Sequence, residues 1–274
     1  MRRFASAVFS ALAVTSCTFA IAGAVCAAQA PPRATGQSAP AAGGASEFTS
    51  TAETRARGQA LVKQAVAAMG GADKLAGVKD ITVKGKVVLS GPMGEVSGDS
   101  VAYVLYPDKI KSTVTLPMGP MVQGFDGNRA WVQMGGQTQE LPAAMNEEMQ
   151  RGIVTSGGIE LMRLALEGQA EVDATGEGDV NGKRADVLLW RRGSQQMQVF
   201  LDAGTHLLAR LAFRGTTPQG PIDAEVTASD HRDVSGVKIP FKVVGTQGGQ
   251  PYLQLTVTSV QINAGLDPAM FTKP

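Results

Sequence analysis

Histidines that could ligate a metal ion are few and lie far apart in the sequence. The two histidines are His206 and His231. Asp202 precedes His206 by four positions, and His231 stands in the run DHRD at 230–233. A protein metal site gathers several His, Asp, Glu or Cys side chains around one ion. Both histidines fall beside turn signals at the ends of strand-like runs, so we interpret them as solvated residues and predict no metal site.

Sequence motifs for nucleophilic catalysis and phosphate binding are absent. No G-x-S-x-G stretch occurs that would form a nucleophile elbow. Gly182 and Lys183 resemble the end of a phosphate-binding loop, but Glu177 occupies the position where that loop requires its first glycine. Asn181-Gly182 is better explained as a hairpin turn.

Paired carboxylates, which could serve as acid and base, are equally uninformative. Glu147 and Glu148 are adjacent in a helical stretch, so they point in different directions, and we interpret them as solvated. No group of residues has the spacing that acid–base or nucleophilic catalysis needs. We therefore predict a protein without enzymatic activity, without catalytic residues and without a cofactor.

Apolar side chains carry the functional signal instead. The chain has eleven methionines, whose flexible thioethers adapt to ligands of varied shape. We predict an apolar ligand pocket, formed by large side chains whose positions on strands and helices direct them towards one interior. The alternative is that the same side chains fill an ordinary core. The predicted pocket residues are Trp131, Met134, Met145, Met149, Leu161, Leu164, Met197 and Phe213.

A central helical segment must position several of these side chains. Pro142 to Gly168 is the long helix-like stretch in the middle of a chain that otherwise alternates like strands. Met145 and Met149 are four residues apart, which places them on one helix face. Gly157-Gly158 is expected to divide the segment into two helices. The segment must bury its apolar face on a sheet, either as a permanent plug or as a lid over a cavity.

Most of the remaining chain alternates apolar and polar residues with the period of two that is typical of strands. Strand-like runs begin at 81–89 and continue to 252–262, with turn signals between them such as Asp126-Gly127-Asn128 and Gly248-Gly249. Short connections favour antiparallel neighbours, and a large twisted sheet must curl. We predict an α+β fold: one strongly curved antiparallel sheet of about ten strands, with the central helices across its concave face.

A further helix is predicted before the first strand. Ser50-Thr51-Ala52-Glu53 matches a capping box, the pattern that opens many helices. Leu61 and Met69 then share one face, and Gly70-Gly71 ends the helix near Met69.

The N-terminal region predicts export across a membrane. Arg2 and Arg3 precede an apolar stretch, 4–25, and small residues follow it, as in a cleaved secretory signal peptide, 1–28. Two alternatives remain: a retained membrane anchor, and lipidation at Cys17, because VTSC at 14–17 resembles a bacterial lipobox. Residues 29–50, rich in Ala, Pro, Gly and Ser, are expected to form a flexible tether. Cys17 and Cys26 both lie in the apolar stretch, so cleavage would leave no thiol.

Charge excludes one class of partner. The formal net charge is +1, with 18% charged residues, so no basic surface argues for nucleic acid. With 274 residues the chain can form one sizeable domain, which we place at 51–274.

Several stretches together carry a family resemblance. AMGGADKLAGVKD at 68–80, YPDK at 106–109, FDGNRAW at 125–131 and VSGVKIP at 234–240 follow one another in the order found in the LolA/LolB-like superfamily of bacterial envelope proteins. The chain resembles that superfamily over about residues 51–274. The family has an arginine that gates the lid. The central helical segment contains two arginines, Arg151 and Arg163, and no motif decides between them.

The resemblance implies a half-open β-barrel with helices across its mouth and an apolar cavity that binds acyl chains. It implies a periplasmic, non-enzymatic carrier of a lipid, a lipoprotein or another apolar small molecule, working close to a membrane. The alternative is a structural module with a filled core that binds an envelope protein through a sheet edge or a loop.

Overall fold

The computed structural model describes residues 48–91, 94–217 and 220–274. The predicted signal peptide, both cysteines and nearly all of the predicted tether lie outside these residues.

The described chain forms an antiparallel sheet of thirteen strands together with four α-helices. The helices are α1 Ala52–Met69, α2 Ala72–Ala76, α3 Ala144–Thr155 and α4 Ile159–Leu166. The strands are β1 Asp80–Gly91, β2 Gly94–Leu105, β3 Lys109–Leu116, β4 Gly119–Phe125, β5 Ala130–Met134, β6 Gln137–Glu140, β7 Glu171–Val180, β8 Lys183–Arg192, β9 Gln195–Asp202, β10 Leu208–Thr217, β11 Gly220–Val234, β12 Val237–Gln247 and β13 Gln250–Ile262.

The sheet is curved and unclosed, with β6 and β7 at its two edges. Its order is β6-β5-β4-β3-β2-β1-β13-β12-β11-β10-β9-β8-β7, so every strand pair but one is a hairpin between consecutive strands. The exception joins the first strand to the last, with Ile81 opposite Ile262 and Leu89 opposite Leu253. The predicted α+β class and the curved antiparallel sheet are confirmed, but thirteen strands replace the expected ten or so.

Local sequence explains why the hairpins form where they do. Asn181 and Gly182 both have positive φ, 54° and 79°, as the tight turn between β7 and β8 requires. Asp126 closes the β4–β5 turn, since its carboxylate accepts from the backbone N–H groups of Asn128 and Arg129.

The N-terminal helix packs on the β7 edge of the sheet. It begins one residue later than the predicted capping box implies: Thr51 is the N-cap, and its partner is Thr54 rather than Glu53. Gly58 permits the close approach, because a Cβ there would lie 2.8 Å from the backbone oxygen of Val172.

The central helical segment, residues 144–166, connects the two edge strands and covers the concave face. Helices α3 and α4 are separated at Gly157 and Gly158, whose φ values of 62° and 75° are left-handed, so the predicted break is confirmed. In the described part of the chain, no helix is long and apolar enough to cross a membrane.

Candidate functional site

Six of the eight predicted pocket residues lie in one apolar cluster between the sheet and the helices, and a seventh packs against it. We call this the interior cluster; it comprises the buried apolar side chains of α1, α3 and α4 and of the concave sheet face. Helix α3 contributes Met145 and Met149, and α4 contributes Leu161 and Leu164. The sheet contributes Met197 and Phe213, and Met134 packs against the cluster while partly exposed.

Trp131 lies apart from the other seven predicted residues. Its neighbours along β5, Ala130 and Val132, belong to the interior cluster, so the alternating strand turns Trp131 to the opposite face. There its indole N–H donates to the backbone oxygen of Phe271, 2.9 Å away, in the short C-terminal 3₁₀ turn. The ring also lies where a Cβ on Gly124 would stand. The other tryptophan, Trp190, is in the interior cluster and donates to the backbone oxygen of Leu161.

The interior cluster is densely filled in this conformation. Leu161 is fully buried, and Met149 and Met197 are nearly so. Two surface clefts of about 410 and 420 Å³ lie outside it, the first lined by Trp131, Glu140 and Lys273 and the second by Lys86 and Asp99. Neither cleft is lined by any of the other seven predicted residues, so a ligand would reach the interior cluster only if a covering element moved.

A buried ion pair lies among these apolar side chains. Glu148 and Arg151, one helical turn apart on α3, are joined by a 2.6 Å contact, and their side chains are 1% and 7% exposed. The second oxygen of Glu148 accepts from the backbone N–H of Thr216 at 2.9 Å. The guanidinium of Arg151 stacks over the ring of Phe213, with 5.1 Å from its central carbon to the ring centroid. Interpreting Glu148 as solvated was wrong; Glu147 alone is exposed.

A second ion pair lies on α4 and contacts the connection between α2 and β1. Glu160 and Arg163 lie 3.4 Å apart, and Arg163 also donates to the backbone oxygen of Val78 at 3.2 Å. Burial raises the pKa of the Glu160 carboxyl, although nearby Arg163 partly offsets the effect. Burial also raises the pKa of Tyr106 well above its usual range, and its hydroxyl donates to the backbone oxygen of Ser156.

Both pairs share a sequence signal that a search for catalytic motifs does not use. A glutamate stands three residues before an arginine in Glu148–Arg151 and again in Glu160–Arg163, which puts both members on one helix face. Each pair lies among residues with the spacing of a buried helix face. An ion pair within an apolar stripe therefore indicates a buried polar site.

Metal ligation finds no support in the described residues, where no group of three or more His, Cys, Asp or Glu side chains could hold an ion. Asp202 has a turn role instead, because its carboxylate accepts from the backbone N–H groups of Gly204 and Thr205. These hydrogen bonds lower the pKa of Asp202.

Comparison with solved structures identifies the fold of this chain. No protein-family model matches the sequence, and no curated protein sequence matches it. Among solved structures, an outer membrane lipoprotein-sorting protein domain from Vibrio parahaemolyticus is 12% identical and matches with a TM-score of 0.54, covering 79% of this chain and 97% of that one. A LolA superfamily protein from Nitrosomonas europaea is 12% identical with a TM-score of 0.55 and the same coverage of both chains. A DUF1329 family protein from Desulfovibrio piger is 10% identical with a TM-score of 0.54, covering 78% of this chain and 97% of that one. The protein therefore has the fold of the LolA superfamily.

Proposed function

We propose that this protein is a non-enzymatic, periplasmic binding protein of the cell envelope. It holds a lipid, a lipoprotein acyl chain or another apolar molecule between the curved sheet and the central helical segment, which moves as a lid. One observation carries the proposal: the segment that closes the interior cluster is anchored by buried ion pairs and interrupted by two left-handed glycines. A permanent plug needs neither feature.

The composition of the interior cluster supports an apolar ligand. Met145, Met149 and Met197 contribute unbranched, polarizable side chains that can repack around an acyl chain. Burial of each CH₂ group contributes about 0.8 kcal/mol, so a long chain binds usefully without a dedicated polar motif. The similarity to a lipoprotein-sorting domain agrees with this ligand class, although it extends to the fold alone.

Binding of the uncharged fluorescent probe N-phenylnaphthylamine to the mature protein tests the proposal. We expect saturable binding that single-chain lipids displace. Met149→Glu should abolish binding, because it places a charge inside the interior cluster. Met118→Glu is the matched control, since Met118 is 57% exposed at the β3–β4 turn. A folded protein that binds no probe, or a Met149→Glu variant that binds it normally, would contradict the proposal.

A second candidate is a structural module that binds an envelope protein. The edge strand β6 favours it, since Gln137–Glu140 pairs with β5 on one side only, among the described residues, and is mostly exposed. An extended partner segment could add to this edge by backbone hydrogen bonds. Proline at Thr138 should then prevent capture of the partner from envelope extracts and leave probe binding unchanged. Capture that survives this substitution would exclude the β6 edge.

A further inference from the structure

The Glu148–Arg151 pair is expensive to bury for stability alone. Two charges removed from water lose hydration that their mutual attraction only partly returns, and apolar replacements of such pairs are often as stable. The pair also lies against Phe213, inside the cluster where the proposed ligand binds. These positions suggest that the pair acts on the ligand.

The two members of the pair differ in how fully they are bonded. Both oxygens of Glu148 are used, one by Thr216 and one by Arg151. The Nε–H of Arg151 is buried and has no acceptor among the residues that the structure describes. Three other described arginines share this feature, Arg163, Arg191 and Arg210, but the rest of each side chain reaches solvent, with 22%, 26% and 23% exposed. At 7% exposure, Arg151 needs an acceptor from within the interior cluster.

The charge of the pair limits what that acceptor can be. Glu148 already balances the guanidinium of Arg151 at 2.6 Å. A carboxylate or phosphate added beside them would introduce an uncompensated negative charge into a low-dielectric interior, close to the Glu148 carboxylate. An uncharged carbonyl oxygen accepts the same hydrogen bond without that cost.

We propose that Arg151 and Glu148 form a head-group filter, in which the free Nε–H of Arg151 donates to an ester or amide carbonyl of the bound lipid while Glu148 excludes free fatty-acid anions. This inference rests on the proposed lipid binding and adds the part of the ligand that is recognised. Arg151 is the binding residue, and Glu148 is the residue that positions it and sets the charge of the site.

Displacement of N-phenylnaphthylamine by methyl laurate and by laurate, at about pH 8 where laurate is charged, tests the filter. The unmodified protein should bind methyl laurate at least about tenfold more tightly, a difference that one charge-assisted hydrogen bond or one uncompensated charge readily supplies. Glu148→Gln leaves Arg151 with an unbalanced charge and should reverse the preference. Glu160→Gln is the matched control, because it alters the equivalent pair on α4 and should leave the ratio unchanged.

A measurement on the unmodified protein avoids any folding defect of the variants. The ¹H–¹⁵N resonance of the Arg151 Nε–H group should shift on addition of methyl laurate, while that of Arg163 should not. Equal displacement by both lipids, an unchanged ratio in Glu148→Gln, or a static Arg151 resonance in the lipid complex would overturn the filter and leave lipid binding intact. If neither lipid displaces the probe, the proposed function itself is wrong and the filter fails with it.

Discussion

At the scale of single residues, Asp173 is a buried carboxylate that accepts hydrogen bonds from three side chains. It is fully buried on β7 and accepts from Ser50 Oγ at 2.7 Å, Thr54 Oγ1 at 2.8 Å and Arg191 Nη2 at 2.6 Å. These contacts tie the start of α1 to the sheet edge. Asp173→Asn removes the charge that all three donors share, so we expect about 2–3 kcal/mol lower unfolding free energy by urea titration. Asp186→Asn, which weakens a longer 3.8 Å pair with the exposed Arg57, should cost less than about 1 kcal/mol. Equal effects of the two substitutions would contradict this role for Asp173.

Glu160 makes a distinct prediction about pH. Its pKa is raised chiefly by burial and also by Glu167, while Arg163 and Arg192 act in the opposite direction. The folded protein therefore binds this proton more tightly than the unfolded chain does. The unfolding free energy should fall as pH rises from the ordinary glutamate pKa, about 4.3, through the raised folded-state value.

Comparison of the protein with Glu160→Gln isolates this effect. His231 works in the opposite direction, because burial lowers its pKa and its contribution to stability is lost on acidification. That contribution is common to both proteins, so the difference in urea midpoint between them reports Glu160. As the pH rises above about 4.5, the unmodified protein should lose more stability than Glu160→Gln, so the difference between their urea midpoints should change with pH. A difference that stays constant with pH would show that Glu160 titrates normally.

At the scale of elements, lid and plug predict different hydrogen exchange for the central helical segment. A lid must open without unfolding the sheet, so amides of α3 and α4 should exchange faster than those of the central pair β1–β13. Lipid should slow the exchange in α3 and α4 selectively. Amides of Val180 and Ala185, which lie beside the β7–β8 turn and outside the interior cluster, are the internal comparison and should not respond. Exchange in α3 and α4 as slow as in β1 and β13 would identify the segment as a permanent plug.

Local patterns predicted most elements because each depends on nearby residues. The turn at Asn181-Gly182 and the break at Gly157-Gly158 need only a left-handed backbone that glycine or asparagine supplies. The short polar strand β6 has no apolar alternation, and it forms because β5 offers it a partner. Its burial pattern is almost entirely exposed, so no periodic signal marks it in the sequence.

The site was less predictable than the elements, because the sheet face on which a side chain lies and the residue it pairs with depend on residues far away in the sequence. Seven of the predicted pocket residues lie in or against the interior cluster, and that they bind a ligand stays a prediction. Trp131 lies on the opposite face, since alternation along β5 defines two faces without telling which one meets the helices. Glu148 was misinterpreted because its burial depends on Thr216, which is 68 residues away.

At the scale of the whole molecule, two connections join the halves of the chain. The pairing of β1 with β13 joins them within the sheet, and the central helical segment joins the opposite edges β6 and β7. Opening the segment would therefore separate two sheet edges that no hydrogen bond ladder connects among the described strands, while the β1–β13 pairing remains. The central helical segment, if it is the proposed lid, could therefore open without loss of the fold.

The location of the protein in the cell depends on residues 1–50, where three forms of the chain differ in measurable ways. We propose cleavage after Ala28, which removes Arg2 and Arg3 from 25 basic residues and none of the 24 acidic ones, leaving 23 − 24 = −1. Such a protein should begin at Gln29, carry no thiol, and be released by osmotic shock. Intact mass and N-terminal sequencing of protein from the envelope fraction measure this directly.

A Cys17→Ser variant should be processed and released like the parent protein, because Cys17 is discarded. If that variant is left unprocessed, Cys17 is the lipidated N-terminus; if the parent retains residues 1–28 in the membrane fraction, the apolar stretch is an anchor. Either result would confine ligand exchange to one membrane, whereas release allows the lipid to be carried between membranes.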